Sequence, residues 1–244
     1  MVRILRGVGE RHWGKVRSDT GMAEDLEFDG RPRAGGVSEL RGEIHFSTAP
    51  GERRAPGGSF PSDRYTCRVD VTPAAPTAAL STSFLCDVRA LLDVAFEGGF
   101  TNEDWNHAVG GVHVWLSTRG LISHGSLVER TLVISGQTLH IGYVEAVATA
   151  PAHRRKGNGS MVMKHIGELI RERYTLGVLS TGTHAFYRTL GWENWRGPTF
   201  VDGPGGRERT PDDDGDVMIL RTPRSPRLEL DGEIVCDWRP GDVW

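Results

Sequence analysis

The chain predicts an α/β domain of the α+β type, with a mixed, mostly antiparallel central sheet flanked by helices. Three observations carry that expectation. Between residues 112 and 148, extended segments follow one another with only short turns between them, as in an antiparallel meander. From residue 160 onward, helical and extended segments alternate. At the junction, the stretch His140–Gly159 runs from a small and β-branched strand straight into a basic, glycine-rich turn.

Residues 1 to about 64 stand apart. Residues 30–63 are rich in Gly, Pro and Arg and lack apolar periodicity, so they bury too little surface to offset the entropy of ordering. They are expected to form a disordered N-terminal extension, with a weak strand signal at Gly42–Thr48. The folded domain is expected over 65–244, beginning with the alternating strand Tyr65–Val71. A helix follows at Thr82–Phe96, with Phe84, Leu85, Val88, Leu91, Leu92 and Phe96 on one face and Gly98-Gly99 ending it. Thr101, followed by Glu103 and Asp104, predicts an N-cap and a short helix through about Ala108.

Val112–Ser117 and Leu121–Ser135 read as strands, bounded by turn signals at Arg119-Gly120 and Ser135-Gly136-Gln137. The next strand carries Ile141, Tyr143, Val144 and Val147 and breaks at Pro151. Its helix, Ser160–Arg173, places Val162, Ile166, Leu169 and Ile170 at helical spacing. Tyr174–Ser180 is extended, and Thr183–Leu190 is a short helix closed by Gly191. Trp192 opens another extended segment, Pro198–Asp216 reads as a long polar loop, and Val217–Leu220 and Glu233–Asp237 are the last strands.

Composition narrows the function. With 244 residues, 38% hydrophobic and 25% charged, the chain has the makings of a sizeable core. No apolar run approaches the roughly 18–20 residues that span a bilayer, and the N-terminus is too polar after Leu5 for a signal peptide. The cytoplasm is the expected compartment, with no membrane partner. A net charge of −3 argues against nucleic acid. Cys67, Cys86 and Cys236 have neither metal-ligand spacing nor an even count, so they are expected to be reduced, mostly buried thiols. No histidine spacing argues for a metal. Between Asp202 and Trp244, 11 Asp/Glu face 6 Arg, which points either to a cationic ligand or to a solvated acidic surface.

The chemistry centres on Arg154, Arg155, Lys156, Gly157, Asn158, Gly159 and Ser160. Two glycines one residue apart let backbone N–H groups turn toward an anion, and the helix N-terminus and three cations reinforce that attraction. Basic glycine-rich turns also occur as plain connections. Arg154-x-x-Gly157-x-Gly159, however, resembles the acetyl-CoA loop of the GCN5-related N-acetyltransferase (GNAT) family, and His184–Trp192 resembles that family's Ala-x-x-(Leu/Phe)-Tyr-x-x-x-Gly-(Phe/Trp) segment. The resemblance implies the GNAT fold, acetyl-CoA as co-substrate, and Tyr187 as the general acid that protonates the departing thiolate.

A more specific resemblance is to the aminoglycoside 2′-N-acetyltransferases. It rests on Gly142–Ala148, Thr210–Gly215, Cys236–Trp244, Phe100-Thr101-x-x-Asp104-Trp105 and Gly110–His113, and covers about Tyr65 to Trp244. It implies a polycationic aminoglycoside substrate met by Asp104, Ser180, Asp213 and the α-carboxylate of Trp244. It also implies that Glu145 is a base acting through water. Glu145 stands mid-strand among apolar neighbours, where a lone carboxylate is costly, so either that role or an inward ion pair with an Arg fits. Backbone N–H groups at Ala146 and Val147 would polarise the thioester carbonyl, and the strand edge at Val147 and Thr149 would hold the pantetheine arm. The family often has an acid where this chain has Gly99, so drug range and affinity stand open. A homodimer is implied, although no pattern marks an interface. An endogenous amine, or a non-catalytic acyl-CoA sensor on the same fold, are the alternatives; retention of both Glu145 and Tyr187 argues against the sensor.

Overall fold

The computed structural model describes residues 74–244. The expected N-terminal extension, the Gly42–Thr48 strand, the Tyr65–Val71 strand and Cys67 all lie outside the described residues. The elements run β1 (Ala75–Pro76), α1 (Thr82–Ala95), α2 (Asn102–Ala108), β2 (Val112–Ser117), β3 (Leu121–Ile134), β4 (Gln137–Thr149), α3 (Asn158–Arg173) and β5 (Leu176–Ser180). They continue through α4 (His184–Arg188), β6 (Glu193–Asn194), β7 (Thr199–Gly203), β8 (Gly206–Arg209), β9 (Val217–Arg221) and β10 (Ile234–Asp237).

All these strands join one sheet, ordered β6-β9-β5-β4-β3-β10-β7-β8, with β2 on β3 and β1 on β2. The pairings are antiparallel except β4 with β5 and β7 with β10. β3 is long enough to share one edge between β2, along Leu121–Leu127, and β10, along Leu132–Ile134. The mixed, mostly antiparallel sheet with flanking helices is the fold class the sequence predicts.

One face of the sheet is covered by α3, whose Val162, Met163, Ile166, Leu169 and Ile170 are buried together with Leu127, Val144 and Val147. Burial of each such aliphatic side chain stabilises the fold by about 1.5–3 kcal/mol. The opposite face is closed by Trp195, Leu228 and the C-terminal Trp244, packed with Leu132, Ile141 and Tyr143. α1 begins at Ser81, whose side chain accepts from the Phe84 N–H, and buries Val88, Leu91 and Leu92. α2 opens with a full capping box: the Thr101 hydroxyl accepts from the Asp104 N–H, and the Asp104 carboxylate accepts from the Thr101 N–H.

Two expectations need correction. Pro198–Asp216 is not one loop: it holds the β7–β8 hairpin and a 3-10 turn at Pro211–Asp213. β8 is exposed along its whole length, so it carries no apolar alternation to betray it. Cys86 is exposed on α1 rather than buried, while Cys236 is buried and its thiol is pushed up to about 12 by that burial. Neither thiol is disulfide-bonded. Among the described residues, no helix is long and apolar enough to cross a membrane, and no group of three or more His, Cys, Asp or Glu is placed to hold a metal ion.

Candidate active site

The site grows from the point where β4 and β5 part. Their parallel pairing runs only from Ile141↔Leu176 to Tyr143↔Val178. Beyond it both strands continue, β4 to Thr149 and β5 to Ser180, without further pairing to each other. Alternate backbone groups of Val144–Thr149 therefore have no strand partner on the β5 side.

Within that stretch β4 carries a bulge. Ser126 pairs with Glu145, but His124 pairs with Ala148, so β4 spends one residue more than β3 over the same span. Ala146 takes up the excess with φ +51°, a left-handed conformation that an alanine adopts only at some energetic cost. Opposite it stands Gly125. A Cβ there would lie 2.7 Å from Ile166 Cδ1 and 3.4 Å from Val147 Cγ2, so a side chain at this position would require Ile166 on α3 to shift.

The gap between the strands opens into a cleft lined by Gly99, Phe100, Asp104, Tyr143, Glu145, Ala146, Val147, Leu179, Ser180, Tyr187 and Trp244, among others. It thus brings together five residues from four distant regions that the sequence singled out as catalytic or substrate-facing, Asp104, Glu145, Ser180, Tyr187 and Trp244, with Ala146 of the expected cofactor-binding set. Val147 joins them. Asp104 is held by its own helix cap, since Oδ2 accepts from the Thr101 N–H and from its hydroxyl, both at 2.9 Å. Tyr187 is 1% exposed and edge-on to Phe186 and Trp192. Burial raises its phenol above the usual range, so near neutrality it holds its proton and can donate it.

Glu145 forms the inward ion pair with an arginine that stood as the alternative to its role as base, and the partner is Arg239. Arg239 donates from Nη1 to Glu145 Oε1 at 2.5 Å, and from Nε to the Asp242 carbonyl at 2.8 Å. Its guanidinium also lies 5.3 Å from the centre of the Tyr143 ring, whose other guanidinium neighbour is Arg130 at 4.8 Å. The Tyr143 hydroxyl is buried and has no hydrogen-bond partner among the described residues; burial and then the Glu145 charge raise its pKa, and the two arginines oppose them.

The chain's last residues form a fixed wall. Arg130 donates to the Val243 and Asp237 carbonyls, both at 2.7 Å, and pairs with the Asp237 carboxylate at 3.0 Å. The Trp244 indole N–H donates to Thr210 Oγ1 at 3.0 Å, and the residue is only 2% exposed. Asp213 lies in the 3-10 turn that follows Thr210 and is not among the residues lining the cleft.

The glycine turn begins where β4 ends. Arg155 and Gly157 both take positive φ, +59° and +83°, and Gly157 enters α3 with no side-chain cap on the helix. The N–H groups of the first turn, at Asn158, Gly159 and Ser160, have no intrahelical acceptor. A Cβ on Gly159 would stand 3.2 Å from Thr149 Oγ1, tighter than ordinary contact, so the helix start lies close on the strand. The loop's side chains are used differently from expectation. Arg154 binds the Thr149 and Ala95 carbonyls, Lys156 binds the Ala152 carbonyl, and Asn158 binds the His153 carbonyl. These bonds are made to carbonyls of the turn and its surroundings, so the side chains of Arg154, Lys156 and Asn158 brace the loop.

Strands that part over a bulged edge, followed by an uncapped glycine turn at a helix start, define a CoA-thioester acyltransferase site. The description "Acetyltransferase (GNAT) domain" matches residues 78–195. The chain is 42% identical over 161 residues, 64% of its own length and 83% of the other, to the aminoglycoside 2′-N-acetyltransferase of Mycolicibacterium fortuitum. This chain belongs to the GNAT family of acetyltransferases. Among solved structures it is similar to the GNAT-family N-acetyltransferase YhbS of Escherichia coli in complex with CoA (TM-score 0.48, 14% identity, 68% of this chain and 89% of that one). It is also similar to the GCN5-related N-acetyltransferase of Kribbella flavida (TM-score 0.43, 22% identity), covering 52% of this chain and 34% of that longer one.

Proposed function

We propose that this acetyltransferase moves the acetyl group of acetyl-CoA to the 2′-amine of an aminoglycoside, by direct attack within a ternary complex. The observation that carries the reading is the meeting of Glu145, the Ala146 bulge and Tyr187 on the walls of one cleft. The 42% identity to an aminoglycoside 2′-N-acetyltransferase supports it.

Each residue then has a task. The N–H groups of Asn158, Gly159 and Ser160, with Arg155 nearby, receive the phosphates of CoA at the positive end of α3. The unpaired edge of β4 at Val147 and Thr149 takes the pantetheine arm. Glu145 accepts a proton, through water, from the substrate ammonium, which frees the nitrogen lone pair to attack the thioester carbon. The N–H groups at the bulge stabilise the negative charge that grows on the carbonyl oxygen. As the carbon–sulfur bond breaks, Tyr187 gives its proton to the leaving thiolate. Asp104, Ser180, Asp213 and Trp244 are the proposed contacts to the sugar. An ammonium that approaches Glu145 meets the Arg239 guanidinium already there, so substrate binding exchanges one cation for another.

The proposed consequence is antibiotic resistance, because acetylation removes one of the drug's positive charges. The proposed compartment is the cytoplasm, in keeping with the free thiols of Cys86 and Cys236, and the proposed assembly is a homodimer. Gly99 favours a second reading. It lines the cleft without a carboxylate where the resembled family often has one, which suits a smaller endogenous amine such as a polyamine or a cell-wall amino sugar.

The test is CoA-thiol release from acetyl-CoA with an aminoglycoside bearing a 2′-amine and with its 2′-hydroxyl counterpart. Release with the amine alone supports the reading. Equal release with both moves the attacked nitrogen elsewhere, and release only with a polyamine or amino sugar supports the second reading.

A further inference from the structure

Behind the Ala146 bulge lies a pair of histidines to which the chemistry above gives no task. His113 on β2 and His124 on β3 are both fully buried. His124 Nδ1 is 3.0 Å from the Ala146 carbonyl oxygen, and its Nε2 is 2.9 Å from His113 Nδ1. His113 Nε2 is in turn 2.8 Å from Thr77 Oγ1, which accepts from the Gly110 N–H at 2.9 Å.

The protons on this chain can be assigned. A carbonyl oxygen only accepts, so His124 carries a proton on Nδ1. Burial keeps both rings neutral, lowering His113 to about 4 and, with the charge of His113 adding to burial, His124 to about 3. His124 Nε2 is therefore a bare acceptor, and His113 must donate to it from Nδ1. His113 Nε2 is left as an acceptor. The Thr77 hydroxyl donates to it in preference to the Gly111 carbonyl, which is farther away at 3.2 Å. Both rings thus hold the Nδ1–H tautomer.

We propose that the His124–His113–Thr77 chain is a positioning device, which locks the Ala146–Val147 peptide so that the Val147 N–H points into the cleft as a donor to the thioester carbonyl. The proposal rests on the reading of the bulge as the carbonyl-binding point. In a trans peptide the C=O and the following N–H point in opposite directions, and no described peptide bond is cis. Holding the Ala146 oxygen toward His124 therefore aims the Val147 N–H away from the histidine pair, and Val147 lines the cleft. Without this lock, rotation of the Ala146–Val147 peptide would turn an oxygen lone pair, rather than an N–H, toward the reacting carbonyl. Each bond in the relay also polarises the next, so the donor is strengthened as well as aimed.

His124→Leu removes the donor to Ala146, whereas His124→Asn restores an N–H at the place of Nδ1. The expected result for His124→Leu is a fall in kcat of about 10²-fold, the usual loss when an oxyanion donor is misaligned, with the Kd for acetyl-CoA held near its wild-type value. His124→Asn is expected to recover most of kcat. His113→Leu and His113→Asn repeat the comparison with His124 intact, so the test survives if one leucine variant fails to fold. The second readout is the ¹⁵N spectrum of the wild-type histidines, where both rings should be neutral Nδ1–H tautomers between pH 6 and 8. An Nε2–H tautomer at either ring, or leucine variants that turn over like wild type, overturns the proposal. Absence of wild-type turnover on any amine would instead overturn the parent reading, which the ¹⁵N spectrum does not depend on.

Discussion

Arg239 donates to Glu145 at 2.5 Å across 94 residues of sequence, tying the C-terminal segment to the middle of the central strand. The two side chains are 12% and 16% exposed, so the pair is mostly withdrawn from water and its rupture is costly. Arg239→Gln leaves the carboxylate facing a weaker partner and removes the bond to the Asp242 carbonyl as well. The expected loss is about 2 kcal/mol of stability, read as a drop of roughly 4–8 °C in Tm. A Tm equal to wild type would show that Arg239 does not hold the wall.

Tyr187→Phe keeps the edge-on ring contacts with Phe186 and Trp192 and removes only the proton donor. Turnover should fall by about 10²-fold or more, the usual worth of a general acid, while acetyl-CoA affinity stays near wild type. Single-turnover rates beside a CoA titration separate the two. A rate equal to wild type removes Tyr187 from the acid role.

Asp104 serves its helix and the cleft at once, and two substitutions tell the roles apart. Asp104→Asn keeps an acceptor for the Thr101 N–H but drops the charge, so KM for the amine should rise with little change in Tm. Asp104→Ala should raise KM and also cost about 1 kcal/mol for the lost cap. An amine KM unchanged in both would leave Asp104 with the cap alone.

The buried histidine pair gives the fold an acid limit. In the unfolded chain a histidine titrates near 6.5, but in the fold burial lowers His113 to about 4 and His124 to about 3. Below pH 6.5 the unfolded state therefore binds more protons than the folded one, and stability falls as pH drops toward those values. The slope should approach about 1.4 kcal/mol per pH unit for each ring. Urea unfolding at pH 7, 6 and 5 measures it, and the double variant His113→Asn/His124→Asn should flatten the dependence. An equally steep slope in that variant would assign it to other groups.

Much of this was legible in the sequence where the signal is local. The capping box at Thr101 and Asp104, the glycine turn before α3, and the strand ends at Ser117 and Ser180 all follow from neighbouring residues. The β7–β8 hairpin was not legible, because the exposed Gly206–Arg209 strand has no face to bury. Arg239 falls within the Cys236–Trp244 stretch that carries the resemblance, but its bond to Glu145 joins segments that only the folded sheet brings together. The same holds for His113 and His124, whose meeting depends on the β2–β3 register. Arg154 and Lys156 were legible as cations but not as struts, since the carbonyls they bind are set by the turn itself.

The measurement that most directly tests the central claim is the position of the new acetyl group on the product of wild-type enzyme, acetyl-CoA and a 2′-amino aminoglycoside. NMR of the purified product should place one acetyl on the 2′-nitrogen, with one CoA thiol released for each amide formed. An acetyl on a different nitrogen, or thiol released without any amide, would contradict the account.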